Sequence, residues 1–335
     1  MENYWRNKKV FITGINGFAG ANLAEDLIKN GAEVFGLIRN SKTDSYFFFN
    51  NLQKDCQIFY GDLNDSTLIN RIISEHGIQF VFHLAAQVEV GVGLNNPYLT
   101  FETNIRGTYT LLEACRIYGN NIESIVIASS DKAYGSYPVN KMPYQEDYPL
   151  NPKYPYDTSK ACADLVAQSY TNNVYGLPIV ITRFCNLYGP GQLNFSAIIP
   201  DAMRSALDFS EFIPRSDGTM IRDFLFIKDV SDLYMVIAKG LSDSPSISGQ
   251  IFNAGPNDPI SMKDLIVKIY SMKNKSDELQ KILSVMAGKK TSGEIDYQCM
   301  DFQKVLKMFN WSPKIDLDEG LELSLEWYEK YLRAK

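Results

Sequence analysis

The sequence predicts an α/β protein built on a doubly wound parallel sheet, with a smaller mixed α/β lobe toward the C-terminus. In the first half of the chain, short apolar runs alternate with amphipathic stretches of helical length, and a glycine-rich segment follows the first apolar run. Strands separated by such helices connect through right-handed crossovers and therefore lie parallel in one sheet. With 335 residues, of which 45% are hydrophobic, the chain is long enough for one large or two small domains.

Each predicted strand is a short apolar run, and the runs lie at residues 10–12, 34–38, 57–60, 80–84, 124–128 and 179–183. The predicted helices between them have an apolar face and lie at residues 20–29, 66–75, near 101–118 and at 157–170. After Pro178 the alternation stops, and a further strand and helix are expected at 222–239. We therefore predict one domain from residues 1–182 with about 222–254, and a discontinuous lobe from 183–221 and 255–335.

The amino-acid composition argues against several classes of protein. The formal charge of −6 and the pI near 5.2 argue against a nucleic-acid or membrane partner, because both usually need clustered Lys and Arg. The five cysteines are widely spaced without a Cys-x-x-Cys pair, which is typical of reduced thiols in a cytosolic protein. No apolar run approaches ~18 residues and the N-terminus is polar, so we predict no membrane span and no signal peptide. We expect a cytoplasmic protein without a metal site.

A glycine-rich loop lies between the first predicted strand and the first predicted helix, at residues 13–20 (TGINGFAG). Glycines spaced by three allow a tight turn and a close approach of the backbone to a pyrophosphate, which would lie at the N-terminus of the helix. In this context the loop predicts a Rossmann-type domain that binds a dinucleotide. The alternative is a tight turn with no ligand.

The end of the second strand indicates which dinucleotide is bound. An acidic residue there would accept a hydrogen bond from the ribose 2′-hydroxyl of NAD, but residues 36–40 (GLIRN) contain no acid. Arg39 could pair with the 2′-phosphate of NADP or stack beside the adenine. Asp62, at the end of the third strand, could accept from the adenine amino group, or could instead cap the helix that begins near Ser66.

Tyr156 and Lys160 are four residues apart at the start of a predicted helix. This spacing puts both side chains on one face, so the ammonium can lower the pKa of the phenol and hold the cofactor ribose. Such a phenol can take a proton while hydride leaves the same carbon. The Tyr156–Lys160 pair indicates this chemistry only in combination with the glycine loop upstream.

These motifs resemble those of the extended short-chain dehydrogenases/reductases of the nucleotide-sugar epimerase and dehydratase group. The resemblance extends over nearly the whole chain, and its further motifs are at residues 61–62, 83–86, 103–107, 129–132, 183–189 and 222–224. It implies that Ser130 completes a Ser-Tyr-Lys triad by bonding the sugar O4. The residues expected to line the dinucleotide are Gly14, Asn16, Gly17, Phe18, Ala19, Gly20, Arg39, Asp62, Leu63, Leu84, Ala85, Ala86, Asn104, Tyr156 and Lys160.

The residues after Ser130 indicate the type of reaction. By this resemblance, 4-epimerases have small or apolar residues there, whereas 4,6-dehydratases have an acid–base pair. Asp131 could protonate the leaving C6 hydroxyl while Lys132, or a group that it tunes, handles the C5 proton. An Asp-Lys pair resembles the CDP-glucose 4,6-dehydratase-like enzymes. The alternative is a surface loop with two solvated charges.

The substrate would be a nucleoside-diphosphate sugar. Arg222 is predicted to bind its diphosphate, because a guanidinium matches two phosphate oxygens; the alternative is a surface ion pair with Asp223. Asn186 and Arg215 are further candidates for the diphosphate, and Gln87 for the hexose. His83 lies on a predicted buried strand, and we expect it to be a core residue rather than an acid or base.

We therefore predict an NAD(P)-dependent nucleotide-sugar 4,6-dehydratase, with NAD slightly favoured because the Asp-Lys enzymes also lack the acidic residue after the second strand. One alternative is a 4- or 5-epimerase or oxidoreductase that uses the same 4-keto intermediate, for example on a UDP-sugar in nonulosonic acid biosynthesis. Another is a regulatory protein that has kept the fold and lost turnover. The resemblance also implies a homodimer, built from the helices near 101–118 and 157–172.

Overall fold

The computed structural model describes residues 3–289 and 295–335. The strands are β1 Lys9–Thr13, β2 Glu33–Ile38, β3 Cys56–Tyr60, β4 Phe80–His83, β5 Ser124–Ala128, β6 Ile179–Phe184, β7 Asn186–Tyr188, β8 Ile221–Arg222, β9 Phe224–Phe226, β10 Ile251–Ala254 and β11 Ile260–Ser261. The helices are α1 Phe18–Lys29, α2 Tyr46–Phe49, α3 Ser66–Glu75, α4 Val90–Asn95, α5 Pro97–Phe101, α6 Gly107–Tyr118, α7 Pro155–Ser169, α8 Ile198–Ala206, α9 Ile227–Asp243, α10 Met262–Ser271, α11 Ser276–Met286, α12 Gln303–Phe309 and α13 Leu317–Arg333.

The main sheet has seven parallel strands in the order β10-β6-β5-β4-β1-β2-β3. The predicted fold class, a doubly wound α/β domain, is confirmed. The central strands are mostly apolar because helices cover both faces of the sheet, and Val10, Phe11 and Ile12 of β1 are fully buried. The edge strand β10 was not predicted, and the strand expected at 222 is divided between β8 and β9, which belong to two small separate sheets.

The strand order reverses between β1 and β4. From β1 the chain proceeds to β2 and β3 on one side, and from β4 to β5 and β6 on the other. The loops that follow β1 and β4 therefore diverge at the carboxyl edge of the sheet, and such a switch point is where doubly wound folds bind ligands. The glycine loop follows β1 at this position.

A second apolar cluster lies outside the main sheet. Helices α8, α10, α11 and α13 pack around buried residues that include Met203, Leu265, Ile269 and Tyr328. Two short strand pairs, β7·β9 and β8·β11, are close to these helices in sequence. Their first strands, β7 and β8, begin within the residues predicted for the lobe. The division into two domains at the predicted residue boundaries stays a prediction.

Two helices differ in detail from their predictions. The helix expected near 101–118 consists of α5 and α6 joined by a π-helical turn at Glu102–Arg106. The helix expected at 157–170 begins at Pro155, whose missing N–H costs nothing in the first turn of a helix. Within the two described ranges, no helix is both long and apolar enough to cross a membrane.

Candidate active site

A cavity of about 1140 Å³ follows the carboxyl edge of the main sheet and continues toward the helices of the second cluster. Its wall contains residues from the glycine loop, from the loops after β2, β3, β4 and β5, and from the segment between α8 and β8. A cavity of this size, with apolar walls and a few polar groups, is typical of a site for a large ligand.

The glycine loop is tightly packed against its neighbours. Gly14 has φ of +74°, and a Cβ there would lie 2.9 Å from the backbone nitrogen of Ala85. A Cβ on Gly20 would lie 2.2 Å from the carbonyl oxygen of Gly14. Both positions therefore require glycine, one for its φ and both for space.

The N-terminus of α1 lines the cavity without a side-chain cap. Its N-cap is Gly17, and the first turn contains no acidic residue. Residues 17–20 all belong to the cavity wall. Because the first N–H groups of a helix have no intrahelical acceptors and lie at the positive end of the helix dipole, this part of the wall fits the pyrophosphate of a dinucleotide.

Arg39, Asp62 and Leu63 line the end of the cavity beyond the glycine loop, together with Lys42. The Asn16 side chain donates to the carbonyl of Asn40 at 2.9 Å and thereby joins the glycine loop to the loop after β2.

The alternative reading of Asp62 as a helix cap is wrong, because Asp65 caps α3 by accepting from the Leu68 amide at 3.1 Å. Asp62 is exposed and accepts from the Asn64 amide at 2.8 Å.

Leu84, Ala85 and Ala86 line the cavity directly after β4, whereas Asn104 and Gln87 are not among the residues of the wall. Asn104 is buried and satisfies the backbone of Gln87 in both directions, accepting from its N–H at 2.7 Å and donating to its carbonyl at 3.0 Å. Asn104 also donates to Ser159 on α7. The amide of Asn104 thus fixes the loop after β4 from behind. The Gln87 side chain donates to the Glu89 carbonyl and accepts from the Thr100 hydroxyl.

Tyr156 and Lys160 both line the cavity from the first turns of α7. Burial raises the pKa of Tyr156, and a hydrogen bond with Ser130 lowers it. The Lys160 ammonium donates to the Ala128 carbonyl at the end of β5, and burial lowers its pKa to about 8. Burial is the larger effect, so the pKa of this phenol stays above that of a free tyrosine.

Ser130 and Asp131 are buried at 9% and 3% exposure, which contradicts the alternative of a solvated surface loop for Asp131. The Ser130 hydroxyl donates to Asp131 Oδ1 at 2.9 Å, and the Gln298 amide donates to Asp131 Oδ2 at 3.1 Å. Burial raises the pKa of Asp131, so the carboxyl group keeps its proton to a higher pH than an exposed aspartate. Lys132 is half-buried and lines the same part of the cavity.

Asn186, Arg215 and Arg222 line the opposite wall. Arg222 is 6% exposed and Asp223 is fully buried, so the alternative of a surface ion pair between them is wrong. The Arg222 guanidinium donates to the carbonyls of Ile221 at 2.8 Å and of Ile295. Arg215 is exposed and donates to the Ser196 carbonyl at 2.9 Å.

Sequence reasoning missed Gln298, because nothing in its surroundings suggests a role and 167 residues separate it from Asp131. It also left the aromatic residues of the wall unidentified, and one of them is Phe212, which is buried beside Pro214. The chain offered no spacing signal for either residue, because Phe212 reaches the cavity through the packing of the second apolar cluster and Gln298 reaches Asp131 only in the folded chain.

His83 is a core residue. Its Nδ1 lies 2.8 Å from the Thr13 hydroxyl and its Nε2 lies 2.9 Å from the Thr108 hydroxyl. Complete burial lowers the pKa of His83 to about 3, so the ring is neutral near pH 7. It does not line the cavity.

The chain is similar to known proteins over nearly its whole length. A family model described as GDP-mannose 4,6 dehydratase matches residues 11–323. A CDP-glucose 4,6-dehydratase of Salmonella typhimurium is 29% identical over 348 aligned residues, which cover 100% of this chain and 94% of that protein.

Two solved structures share the fold over nearly the full length. A UDP-glucose 4-epimerase from Thermotoga maritima, solved with UDP-glucose, has a TM-score of 0.85 at 25% identity and covers 97% of this chain and 99% of its own. A dTDP-glucose 4,6-dehydratase from Bacillus anthracis, in complex with NAD, has a TM-score of 0.83 at 26% identity and covers 96% and 97%.

Proposed function

This chain belongs to the GDP-mannose 4,6 dehydratase family of nucleotide-sugar dehydratases and epimerases, and from that premise we propose that it is a nucleotide-sugar 4,6-dehydratase. The observation that supports dehydration over epimerisation is the buried Asp131, hydrogen-bonded to Ser130 in the wall of the cavity. A 4-epimerase has no leaving group to protonate, whereas loss of water from C5 and C6 requires an acid beside the C6 hydroxyl.

We propose NAD as the cofactor. Its pyrophosphate would lie against residues 17–20 at the N-terminus of α1, and its adenosine against Arg39, Asp62 and Leu63. When bound, this cofactor would supply the hydride-transfer chemistry between C4 and C6 of the sugar. The absence of an acidic residue after β2 leaves room for NADP, so the identity of the cofactor is part of the test below.

Tyr156 is the base for oxidation at C4 in this proposal. Its phenolate accepts the proton of the C4 hydroxyl, and Ser130 and Lys160 hold the sugar oxygen and the ribose. Because burial raises the pKa of the phenol, formation of the phenolate requires hydrogen-bond donors or positive charge nearby.

Asp131 and Lys132 perform the elimination. Once C4 is a ketone, the hydrogen on C5 is acidic, because the resulting negative charge is shared with the C4 oxygen. Lys132, as the neutral amine, takes this proton, and Asp131 gives its own proton to the C6 hydroxyl, which leaves as water. The raised pKa of Asp131 suits this role, since the carboxyl must be protonated before the step.

The opposite wall would hold the nucleoside diphosphate. In this proposal Arg222 and Asn186, which line the cavity, bind its phosphates, and the exposed Arg215 is a further ligand. Phe212 offers an apolar surface for the nucleoside. Asn104 and Gln87 support the loop after β4 in this proposal and do not contact the ligands.

We also propose a homodimer. Exposed apolar side chains occur on the helices expected to form it, including Tyr98 on α5, Tyr109 on α6 and Leu165 on α7, which is 57% exposed. Light scattering after size exclusion tests this: a particle of one chain's mass would contradict it. The variant Leu165→Glu should give monomers.

The function is tested by denaturing the purified protein, identifying the released dinucleotide, and incubating native protein with CDP-glucose, GDP-mannose, UDP-GlcNAc and dTDP-glucose. We expect one of them to yield a 4-keto-6-deoxy sugar that is lighter by one water. Asp131→Asn should accumulate the oxidised sugar without losing water.

If none of the four substrates loses water, the proposed function is wrong. Deuterium uptake at C5 without loss of water, or inversion at C4 with the mass retained, would instead identify an epimerase.

A further inference from the structure

A buried carboxylate, Asp201, lies in the part of the cavity wall formed by the start of α8 and the segment 212–216, which we call the α8 wall. Asp201 belongs to the first turn of α8 and is 7% exposed. Among the residues that the structure describes, it is the one acidic side chain that these two segments contribute to the cavity. The reaction proposed above gives this carboxylate no role.

Two arginines fix the orientation of the Asp201 carboxylate. Arg204 Nη2 donates to Asp201 Oδ1 at 3.0 Å, and Arg215 Nη2 lies 4.0 Å from Oδ2. Both arginines are held in turn, because Arg204 Cζ lies 4.3 Å from the centre of the Phe195 ring and Arg215 donates to the Ser196 carbonyl at 2.9 Å. The carboxylate is therefore a group of defined position in the wall.

The Asp201 carboxylate retains capacity to accept hydrogen bonds. An ionised carboxylate has about four lone-pair sites, two on each oxygen. Arg204 uses one site on Oδ1, and Arg215 faces Oδ2. Within the described ranges the side chain has no other hydrogen bond or ion pair. Each oxygen can therefore accept one further N–H donor from a ligand in the cavity.

Resting on the proposed function, the ligand group at the α8 wall is the nucleoside. In that proposal Tyr156 lies at C4 of the hexose, and Arg222 and Asn186 bind the diphosphate. The α8 wall then remains for the nucleoside, and the buried ring of Phe212 in this wall offers an apolar surface for its base.

The nucleobases differ in the donors that they can present to a carboxylate. Guanine has two adjacent donors, N1–H and the N2 amino group. In cytosine and adenine the amino group lies next to a ring nitrogen that accepts, and in uracil and thymine the single N–H lies between two carbonyl oxygens. Each of these acceptors repels the second carboxylate oxygen. Only guanine therefore matches both oxygens at once.

We propose that Asp201 recognises the N1–H and the N2 amino group of guanine, so that the substrate is a sugar carried on guanosine diphosphate. The two arginines offset the charge of the carboxylate, which would otherwise repel an anionic ligand.

The test measures the binding of free nucleoside diphosphates by isothermal titration calorimetry, on the purified protein with its copurified dinucleotide. We expect GDP to bind at least about 10-fold more tightly than UDP or CDP, the usual discrimination of a two-bond contact to a base. Inosine diphosphate lacks only the N2 amino group of GDP, and it should also bind about 10-fold more weakly than GDP.

Asp201→Asn keeps the size of the side chain but turns an NH₂ group toward one of the two guanine donors. We expect this variant to lose the preference for GDP over inosine diphosphate and over UDP. The matched control is Asp208→Asn, which makes the same substitution just beyond α8. Asp208 is 73% exposed, pairs with Lys275 and does not line the cavity, so the preference for GDP should remain.

If the parent binds inosine diphosphate or UDP as tightly as GDP, the proposal is wrong. Equal weakening of all four ligands in Asp201→Asn would show that Asp201 only supports the wall, and would also overturn it. These measurements involve no sugar and no turnover. A clear preference for GDP in a protein that releases no water from any nucleotide sugar would therefore refute the proposed function and leave the recognition of guanine standing.

Discussion

The buried ion pair between Asp164 and Arg183 anchors the helix that provides Tyr156 and Lys160, and its loss has a calculable cost. Arg183 Nε donates to Asp164 Oδ2 at 2.8 Å and Nη2 donates to Oδ1 at 3.1 Å, with side-chain exposures of 2% and 0%. Asp164→Asn keeps the volume but turns one acceptor oxygen into an NH₂ group facing the guanidinium donors. The charge of Arg183 is then left buried without a counterion, which costs about 3–5 kcal/mol.

We expect Asp164→Asn to lower the free energy of unfolding in urea by this amount, a large part of the ~5–15 kcal/mol typical of a domain. The control is the same substitution in an exposed pair, Asp318→Asn, whose partner Lys268 lies 2.5 Å away with side chains 68% and 40% exposed. It should cost less than about 1 kcal/mol. A difference of less than about 1 kcal/mol between Asp164→Asn and the parent would refute the inference that this pair anchors α7.

Three further outcomes follow. Tyr156→Phe should lower product formation by about 10²–10⁴-fold while the copurified dinucleotide stays bound, and unchanged turnover would remove the phenol from the mechanism. Gly20→Ala should reduce dinucleotide content, because its Cβ would lie 2.2 Å from the Gly14 carbonyl oxygen, whereas Gly288→Ala, with no atom within 4 Å, should retain it. The neutral His83, with its pKa lowered to about 3, gives stability that is fully present above pH 6.5 and is lost as the pH falls toward 3. His83→Gln should therefore remove about 2 kcal/mol of the loss in stability between pH 7 and 5, as measured by urea unfolding at both pH values.

The sheet could be predicted because its strands are buried on both faces and so appear as continuous apolar runs. The edge strand β10 escaped prediction because four residues are too few to establish a period, and its pairing with β6 joins segments about 70 residues apart in sequence. The interruption between α5 and α6 was also missed, since a π-helical turn leaves the apolar pattern of the flanking helices nearly unchanged.

The candidate site could be predicted only where its residues belong to short sequence motifs. The glycine loop, Tyr156 and Lys160 are local patterns, and the structure brings them to one cavity. Asn104 was predicted at the cofactor, yet its amide is used by the backbone of Gln87. Local sequence cannot distinguish a side chain that faces a ligand from one that supports the loop behind it.

Residues 295–300 connect the two walls of the cavity. The Ile295 carbonyl accepts from Arg222, and three residues later Gln298 donates to Asp131. A chimeric enzyme that took its C-terminal part from a relative of different sugar preference would therefore also change the residues that hold Asp131. Exchanges of specificity within this family should then be most productive when this hexapeptide is kept with the Ser-Asp-Lys sequence of its own parent.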